Sequence, residues 1–247
     1  MQRTISAMVG KGSVNHNSRK FRAENVDGTR THLNIDYCNE NIKTVYHELF
    51  DEALERYNAK QTRSDRKIKD YYEKIRSSKQ EKPFREIILQ VGGKGNMNAD
   101  TENGDLAKQV LNEYYQGFQE RNPQLRVFSA HLHMDEATPH LHIDFVPFTT
   151  GSKRGLDTRV SLKQALATQG FKGGSRGDTE WSQWVQSEKE QLAAVMERYG
   201  IEWEHKGTHE KHLSVLDYKK QEREKEVAVL GAKIEQKQVE LESLSNR

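Results

Sequence analysis

A cluster of histidines is the feature of this sequence with the clearest chemical potential. His131, His133, His140 and His142 all lie within twelve residues. The 10 histidines of the 247-residue chain, if evenly spread, would place only about 0.5 in a stretch of that length. Composition alone therefore does not account for the cluster. Imidazole binds divalent transition metals well, so a metal site is the first chemistry to consider.

The cluster falls on two predicted strands, Arg126 to Met134 and His140 to Phe148, which a short turn joins. Alternate side chains of a strand share a face, so His140 and His142 project together, and a hairpin returns His133 beside them. Three imidazoles with open remaining positions suit manganese, zinc, cobalt or nickel, whereas nitrogen binds magnesium more weakly. The open positions would accept oxygen atoms of a substrate.

Two acidic residues follow the first strand in the turn. Asp135 and Glu136 suit the role of acceptors that hold the outer N–H of a ligand histidine, and either carboxylate could instead reach the metal. In a closed structural zinc site, Glu136 or His131 would supply the fourth ligand. Surface histidines without a metal are the remaining interpretation. His131 has the strand parity of His133 but lies one rung away, so we expect it to be a bystander.

Further predicted elements surround this hairpin. Strands are predicted at Thr4 to Val9 and Pro83 to Gly93, and helices at Asn41 to Asn58, Ser64 to Arg76, Asp105 to Gln119, Leu162 to Thr168 and Thr179 to Tyr199. The strands are separated by helices, and a hairpin comes late in the sheet. This order predicts an α+β fold in which helices flank an antiparallel sheet.

The sequence changes character from Leu213 onward. Leu216, Lys220, Arg223, Val227, Leu230, Ile234, Lys237, Leu241 and Leu244 are separated by alternating fours and threes. This is a heptad pattern with polar interruptions, which is typical of a coiled coil; a solvated helix packed lightly on its own domain is the alternative. We therefore predict a main domain over residues 1–212 and a helix over residues 213–247. The helix is expected to form a homodimer or to continue beyond the last residue.

Composition excludes several classes of protein. Lys and Arg number 39 against 37 Asp and Glu, and the net charge of +2 does not by itself indicate a polyanion partner, so any basic groove must be local. Cys38 is the single cysteine, which excludes a disulfide framework and favours the reducing cytoplasm. The N-terminal residues lack the apolar run of a signal peptide, and no apolar stretch is long enough to predict a membrane span.

Three motifs appear in order along the chain. The first is His16-Asn17-Ser18-Arg19, the second is Thr31-His32-Leu33-Asn34-Ile35-Asp36, and the third is His133-x-Asp135-Glu136-x-x-Pro139-His140-x-His142. They resemble the motifs of the MobV (Mob/Pre) relaxases of the HUH endonuclease superfamily. The resemblance covers Met1 to Leu216, including an HLSVLDYK stretch that begins at His212. Ile35 departs from the tyrosine of the family's second motif.

The resemblance implies an HUH relaxase-like sheet of about five antiparallel strands with a divalent metal, most often Mn²⁺, at its centre. It also implies cleavage of single-stranded or hairpin DNA at the origin of transfer of a plasmid or mobile element, for conjugative mobilisation with other transfer proteins. Asn34 and Asp36 would support the site as motif residues.

The resemblance also implies that the nucleophile is His16. The product would be a 5′-phosphate bound to imidazole nitrogen and a free 3′-hydroxyl. Neutral imidazole attacks without a base to deprotonate it, and a phosphoramidate keeps a good leaving group, so the strand can be re-closed. Arg19 would hold the scissile phosphate through a bidentate contact. Glu136 is the third residue that we expect to take part in catalysis.

Two other functions stay open at this stage. Tyr71-Tyr72 and Tyr114-Tyr115 are similar to the paired tyrosines of rolling-circle replication initiators, although adjacent residues of a helix point about 100° apart. A non-catalytic, metal-stabilised DNA-binding module is the second alternative. Trp181 and Trp184 are candidates for base stacking, but tryptophans at helical spacing more often belong to the core. Candidate contacts with DNA phosphates are Arg30, Lys153, Arg154, Arg159, Lys172 and Arg176.

Overall fold

The computed structural model describes residues 1–205 and 215–245. The chain divides into two compact units, Met1–His205 and Lys206–Arg247. In the described residues the strands are β1 (Gln2–Arg3), β2 (Ile5–Val9), β3 (Ile35–Asn39), β4 (Arg85–Val91), β5 (Leu125–His133), β6 (His140–Thr149), β7 (Arg159–Val160) and β8 (Glu202–Trp203). The α-helices are α1 (Val14–Asn17), α2 (Ile42–Ala59), α3 (Tyr71–Arg76), α4 (Glu102–Gln116), α5 (Phe118–Arg121), α6 (Leu162–Thr168), α7 (Glu180–Arg198) and α8 (Val215–Ser245).

The first unit is built on a sheet with the strand order β2-β4-β6-β5-β3, in which every neighbouring pair is antiparallel. The two-residue strand β7 pairs with the end of β6, and β1 pairs with β8 in a small parallel ribbon. The predicted α+β fold with an antiparallel sheet of about five strands is therefore confirmed. Strand β6 lies at the centre of the sheet, between β4 and β5.

One face of the sheet carries the main hydrophobic core. Leu141, Ile143 and Phe145 of β6 point to this face and are fully buried. Helices α4 and α7 cover it with an apolar stripe each, which includes Val110 and Leu111 on the first and Trp184 and Leu192 on the second. The apolar residues that repeat every three to four positions, and from which these helices were predicted, are the residues buried against the sheet.

The opposite face is divided into two parts. At one end, Val146 and Phe148 of β6 pack against α2 and α3 through residues such as Val45 and Tyr71. At the other end, β6 presents His140, His142 and Asp144, and the short helix α1 lies against the neighbouring strand β5. The polar end of this face therefore lies next to a packed layer of helices that holds the sheet in place.

One local prediction from the sequence is wrong, and one strand was not predicted. The single helix predicted over Ser64 to Arg76 is broken into a 3₁₀ turn, Ser64–Arg66, and α3, because the side chain of Asp70 accepts a hydrogen bond from the backbone N–H of Glu73 and so starts a new helix. Strand β3 was not indicated by the pattern. It has five residues, and its pairing with β5 is interrupted by a bulge, which removes the alternation that identifies a strand.

The C-terminal unit contains α8, so the prediction that this segment is helical is confirmed for residues 215–245. The predicted boundary between residues 212 and 213 lies outside the described residues, as does the start of the HLSVLDYK stretch at His212. Three heptad positions, Val227, Leu230 and Ile234, expose 67%, 57% and 59% of their surface. In the described part of the chain these apolar side chains are exposed, and their positions repeat at heptad spacing.

Candidate metal and nucleophile site

The hairpin of β5 and β6 brings three histidines together at the polar end of the sheet. His133 lies directly opposite His140 in the strand pairing, and His142 stands two residues further along the same face. The ring centroids of the three imidazoles are 4.7 to 5.2 Å apart. One nitrogen of each ring lies within 4.8 Å of the corresponding nitrogens of the other two. The convergence expected from strand alternation is thus present.

The remaining nitrogen of each ring is held by an acceptor outside the cluster. His133 Nε2 lies 2.8 Å from the backbone oxygen of Asn17, and His140 Nδ1 lies 2.8 Å from that of Thr138. His142 Nδ1 lies 2.6 Å from Glu86 Oε1. Acceptors on the outer nitrogens place the N–H groups there, so the inner nitrogens carry the lone pairs and the three rings are oriented as ligands.

The inner nitrogens show that a metal fits the site. His133 Nδ1 and His142 Nε2 are buried and have no hydrogen-bond partner, and a buried polar atom of this kind needs one. Burial, with a smaller contribution from the neighbouring imidazoles, lowers the pKa of His142 to about 4 and that of His133 to about 2. Both rings are therefore neutral at ordinary pH, which is the form that binds a divalent transition metal.

Glu86 is a site residue that the sequence reasoning missed. Its carboxylate accepts hydrogen bonds from His142 Nδ1, from Asn17 Nδ2 at 2.7 Å and from the backbone N–H of Gly12 at 2.7 Å. Burial opposes ionisation, but the hydrogen bond from His142 and the further donors keep the pKa of Glu86 below its usual value. A Cβ atom at Gly10 would lie 1.8 Å from Glu86 Oε2, so only glycine fits there. The sequence contained one indication of this role, because Glu86 is an acidic residue inside a mostly apolar strand.

Asp135 holds an arginine, and this differs from the expected contact with a ligand histidine. Arg19 Nε donates to Asp135 Oδ2 at 2.9 Å, and Arg19 Nη2 donates to the second oxygen. The side chains of Thr31 and Asn34 donate to Asp135 Oδ2 as well, at 3.0 and 2.8 Å. Asn34 also accepts a hydrogen bond from the backbone N–H of Met134 at 2.6 Å. The first and second motifs are thus tied to the third through one buried carboxylate.

Arg19 is therefore engaged within the protein and does not present its guanidinium to a phosphate. Besides Asp135 it donates to Glu136 Oε1 at 2.9 Å and to the backbone oxygen of His16 at 3.1 Å. Its φ of 55° is the one positive φ of a non-glycine residue in the described part of the chain, and such a conformation is costly without compensating contacts. The expectation that Arg19 grips the scissile phosphate is replaced by a positioning contact.

His16 lies at the rim of the cluster, on α1. Its ring centroid is 6.1 Å from that of His133 and 6.3 Å from that of His142, so it stands beside the three converging rings. His16 Nε2 is 3.4 Å from Glu136 Oε1 and 3.3 Å from Arg19 Nη1. The side chain exposes 21% of its surface, which leaves it open to a substrate that reaches the metal ligands.

Glu136 stands between His16 and the three converging imidazoles. Its Oε1 atom is 3.8 Å from His140 Nε2 and 3.9 Å from His133 Nδ1, and its Oε2 atom accepts a hydrogen bond from Asn25 Nδ2 at 2.6 Å. Burial opposes ionisation of Glu136, but its hydrogen bond with His16 and the charges around it hold its pKa well below the usual value. An ionised carboxylate therefore faces both the nucleophile candidate and the metal ligands.

His131 lies on the same face as the cluster, but its two nitrogens are occupied. His131 Nδ1 is 2.6 Å from Asp36 Oδ1, and Nε2 is 3.2 Å from Ser129 Oγ. No lone pair is left for a metal in this arrangement. Asp36 and Ser129 thus hold the His131 ring, which fits the expectation that it is a bystander.

The rival tyrosines are engaged in packing. Tyr114 is fully buried in the main core and lies 2.5 Å from Glu188, and Tyr115 stacks on Tyr37 with a centroid distance of 4.0 Å. Tyr71 accepts a hydrogen bond from the backbone N–H of Val160 at 3.1 Å, and Tyr72 packs in the layer of α2 and α3. Among the described residues, the aromatic neighbours of the clustered histidines are other histidines.

The two tryptophans of α7 belong to the core. Trp184 is fully buried, and its Nε1 donates to Asn122 at 2.7 Å. Trp181 is partly buried and packs against Trp184 with a centroid distance of 4.8 Å. A base-stacking role is thus excluded for Trp184 by burial.

The candidate DNA-binding residues lie in several places. Arg30 donates to the backbone oxygen of Met134 and so braces the turn between β5 and β6. Lys153, Arg154 and Arg159 follow the other end of β6, which at about 3.3 Å per residue lies roughly 30 Å from His140. Lys172 and Arg176 stand in the loop before α7, where Gly174 N donates to the backbone oxygen of Asp178 at 2.7 Å. Lys153 and Arg154 thus come near the end of the strand that carries His140 and His142, and the length of β6 separates that end from the two histidines.

Comparisons with known proteins agree with this architecture. The chain is 26% identical over 242 residues to a plasmid recombination enzyme of a Bacillus species, with 95% of this chain and 49% of that protein covered. It is 25% identical to a plasmid recombination enzyme type 2 of Staphylococcus aureus strain Mu50, with 100% and 51% covered. The chain spans about half the length of these curated relatives.

A solved structure shows the same fold. It is the relaxase domain of MobM, described as Mn-bound and bound to 22 nucleotides of oriT DNA of plasmid pMV158. The TM-score is 0.52 at 20% sequence identity, with 88% of this chain and 99% of that chain covered. The sheet with its histidine hairpin is thus the fold of a relaxase domain.

The family profile for plasmid recombination enzymes, Mob_Pre, matches residues 13–220. The chain belongs to this family. All three motifs lie within the matched residues, as does the cluster of histidines. Among the described residues, no helix combines the length and the apolar character that a membrane span requires.

Proposed function

We propose that this chain is the catalytic domain of a relaxase that nicks one strand of DNA at the origin of transfer of a plasmid or mobile element. The observation that carries the proposal is the position of His16, partly exposed and 6.1 Å from His133 at the rim of three converging imidazoles. The enzyme holds the 5′ end of the cut strand and later rejoins it, in conjugative mobilisation. The similarity to MobM, which is described as bound to oriT DNA, supports this choice of substrate.

His133, His140 and His142 are proposed to hold a divalent cation. Mn²⁺ is the metal best supported, because the MobM structures are described as Mn-bound and neutral imidazoles suit this class of ion. Zinc, cobalt, nickel and magnesium are its competitors. A bound cation supplies charge that neutralises the non-bridging oxygens of the scissile phosphate. Glu86 and the two backbone acceptors keep the rings oriented for that ion.

The nucleophile in this proposal is His16. The ring nitrogen that carries the lone pair attacks phosphorus, the P–N bond forms, and the P–O3′ bond breaks. The leaving 3′-oxygen takes up a proton and becomes the free 3′-hydroxyl. The ring loses its own N–H proton to restore a neutral phosphoramidate, and attack by a 3′-hydroxyl reverses the sequence to rejoin the strand.

Glu136 and Arg19 assist this step from fixed positions. Glu136 is ionised and its Oε1 atom lies 3.4 Å from His16 Nε2, so it can orient the ring and stabilise the positive charge that the ring gains when the P–N bond forms, before the proton passes to water. Arg19 contacts His16, Glu136 and Asp135 and so holds the three motifs in register. It acts as a positioning residue, because its guanidinium is directed at carboxylates of the protein.

The basic residues far from the histidines are proposed to bind DNA away from the cut. Lys153, Arg154 and Arg159 follow the end of β6 that is remote from the metal ligands. Lys172 and Arg176 in the loop before α7 extend the same kind of contact. Their role would be to add non-specific phosphate binding, which depends on salt. Arg30 would contribute from the turn next to the histidines.

The C-terminal helix is proposed to pair with a second copy of itself. Val227, Leu230 and Ile234 are exposed at heptad spacing on α8, and pairing would bury them. Such a dimer presents two relaxase domains. Contacts with other transfer proteins would use surfaces outside this helix pair, and the cytoplasm is the proposed compartment.

The test is to trap the covalent product. The full chain is incubated with tiled single-stranded oligonucleotides from the DNA that flanks its own gene, with a label at the 3′ end, in Mn²⁺ or in EDTA. The proposal expects a labelled protein adduct that forms only with metal and is destroyed by acid, because a phosphoramidate is acid-labile. An acid-stable adduct would indicate a tyrosine nucleophile, and DNA binding without any adduct would indicate a non-catalytic module.

A further inference from the structure

A groove of about 610 Å³ lies directly beside the helix that carries His16. One wall is the start of α1, with Ser13, Val14 and Asn15, and the other is the connection from β3 to α2, with Asn39 and Asn41. Its volume falls within the range of about 300–1,000 Å³ typical of ligand sites. Because Asn15 and His16 are adjacent residues, the groove begins within one helical turn of the nucleophile candidate.

Three aromatic residues, Tyr72, Phe84 and Phe128, line the groove, and the rings of Tyr72 and Phe84 are held by edge-on contacts with neighbouring rings. Phe84 packs edge-on against Phe128 with a centroid distance of 5.2 Å. A Cβ at Gly12, where φ is +72°, would lie 2.8 Å from the Phe84 ring, so glycine allows that ring to lie against the loop before α1. Tyr72 packs edge-on against Tyr46 at 5.1 Å. The rings of Tyr72 and Phe84 are only partly buried, so part of each is available to the groove.

The charged groups of the groove favour an anionic ligand. Glu40 is the acidic residue of the lining, and its carboxylate is bound by both terminal nitrogens of Arg126 at 2.8 and 2.9 Å. Lys20, which follows Arg19, is exposed and contributes a cation to the same lining. The side-chain amides of Asn15 and Asn39 add neutral donors and acceptors. Aromatic rings, a lysine and amides together match a nucleotide, with its flat base and its phosphate.

We infer that this groove is a subsite for a nucleotide of the single-stranded DNA that adjoins the scissile phosphate, with its base against Tyr72 and Phe84 and its phosphate at Lys20. The inference rests on the proposed function, because it takes His16 as the point at which the strand is cut. It adds a binding site whose lining includes Ser13, Val14 and Asn15 and none of the three metal-ligand histidines. The subsite holds the strand in position through stacking, which tolerates any base.

The experiment measures binding without cleavage. Anisotropy titrations use the full chain, EDTA, and a fluorescein-labelled oligothymidine of about 12 nucleotides, a length that single-strand sites commonly cover. Tyr72→Leu is expected to raise Kd at least about fivefold, because a base loses its stacking partner, whereas Tyr72→Phe, which keeps the ring, is expected to bind as the unmodified chain does. Lys20→Gln is expected to lower the slope of log Kd against log salt by about 0.7, the value for one phosphate contact in a single strand.

Matched controls lie at the other end of α2. Tyr57 is also partly buried, with Lys74 over its ring at 5.9 Å, as Lys43 lies over Tyr72 at 5.4 Å. Tyr57→Leu and Lys60→Gln lie about 25 Å from the groove end of the 18-residue helix. Neither control is expected to change the affinity or its salt dependence. Thermal unfolding of each variant confirms that the titration is made on folded protein.

A second readout identifies the contact directly. The same oligothymidine with one 5-iodouracil is irradiated on the protein, and the cross-linked residue is located by mass spectrometry. Cross-links at Tyr72 or Phe84 support the inference. Cross-links only elsewhere, or Tyr72→Leu and Lys20→Gln titrations equal to those of their controls, overturn it even if nicking is observed. Groove-dependent binding in a chain that never forms an adduct would instead overturn the proposed function and leave the subsite in place.

Discussion

The two faces of strand β6 carry residues of opposite character. Leu141, Ile143 and Phe145 point to one face and are fully buried against helices. His140, His142 and Asp144 alternate with them and point to the other face, where Glu86 holds His142 and Asn17 donates to Asp144. A single β-strand thus contributes to the hydrophobic core and to the candidate site at once. Between His140 and Phe145, odd-numbered positions of this strand thus contribute to stability and even-numbered positions to the candidate site, so substitutions should affect the two properties separately.

Parity also explains why buried polar groups are tolerated here. Asn17 donates to both Glu86 and Asp144, at 2.7 and 3.0 Å, and Glu86 in turn holds His142. Each of these side chains makes at least one hydrogen bond, which reduces the cost of its burial, and the buried His142 Nε2 and Asp144 Oδ1 atoms are left without a partner. Burial and the nearby Glu86 carboxylate raise the pKa of Asp144 to about 7. The polar face is therefore stable only as a connected set, on a sheet that the apolar face holds together.

The largest expected effect comes from removing a metal ligand. His142→Ala or His140→Ala is expected to abolish nicking and to weaken Mn²⁺ binding together, because both rings point into the same centre. Leu141→Ala, between them but on the core face, is expected to lower the free energy of unfolding by about 2–5 kcal/mol while folded protein still nicks. Calorimetric Mn²⁺ titration and an oligonucleotide nicking assay measure both. Full nicking by either histidine variant would contradict the claim that the polar face of β6 carries the active site.

The next effect tests the support behind a ligand. Glu86→Gln is expected to weaken Mn²⁺ binding about 10- to 100-fold, because the carboxylate that orients His142 becomes a neutral amide. Asp36→Asn is the matched control, since Asp36 stands at the same distance, 2.6 Å, from the Nδ1 atom of His131. The control is expected to keep the affinity. Equal losses in the two variants would show that His131 belongs to the metal centre.

A third prediction concerns pH and the metal-free protein. The pKa values of His133 and His142 are lowered by burial to about 2 and about 4, whereas unfolded histidine titrates near 6.5. Below pH 6.5 the unfolded chain therefore binds more protons than the folded chain. As the pH is lowered, the free energy of unfolding decreases by up to about 1.4 kcal/mol per pH unit for each ring. Urea unfolding at pH 7.5 and pH 5 measures this. A His133→Gln/His142→Gln double variant with an unchanged pH dependence would contradict it.

The smallest expected effect on catalysis comes from the C-terminal helix. Removal of the residues after Tyr218 is expected to leave nicking of a short oligonucleotide unchanged, because the three motifs lie within Met1–His205, a compact unit. Self-association, measured by light scattering, is expected to fall, because the exposed heptad residues of α8 are lost. Loss of cleavage in a folded truncated chain would show that the tail helps to build the site.

Local patterns predicted the parts of the site that lie close together in sequence. The hairpin that unites His133, His140 and His142 follows from alternation and a short turn, and the structure contains it. Glu86 was missed because its contact with His142 depends on β4 pairing with β6, and no local pattern states which strands are neighbours.

The first motif shows a second limit of the sequence. Arg19 follows His16 by three residues, but α1 ends at Asn17 and Arg19 has a positive φ, so Arg19 is not part of the helix that carries His16. The guanidinium consequently turns to Asp135. Its partner lies in the third motif, and only the folded chain shows that the two motifs meet.

The most direct measurement is the covalent adduct of His16→Ala. Loss of a nucleophile removes a step of the reaction and leaves the ground state nearly unchanged. We expect no adduct with labelled single-stranded DNA in Mn²⁺, together with unaltered Mn²⁺ and DNA affinity; His16→Tyr, with a phenol of pKa near 10, is expected to react slowly. An adduct formed by His16→Ala at the unmodified rate would contradict the assignment of His16 as nucleophile and direct the search to the tyrosines, beginning with Tyr71 and Tyr72.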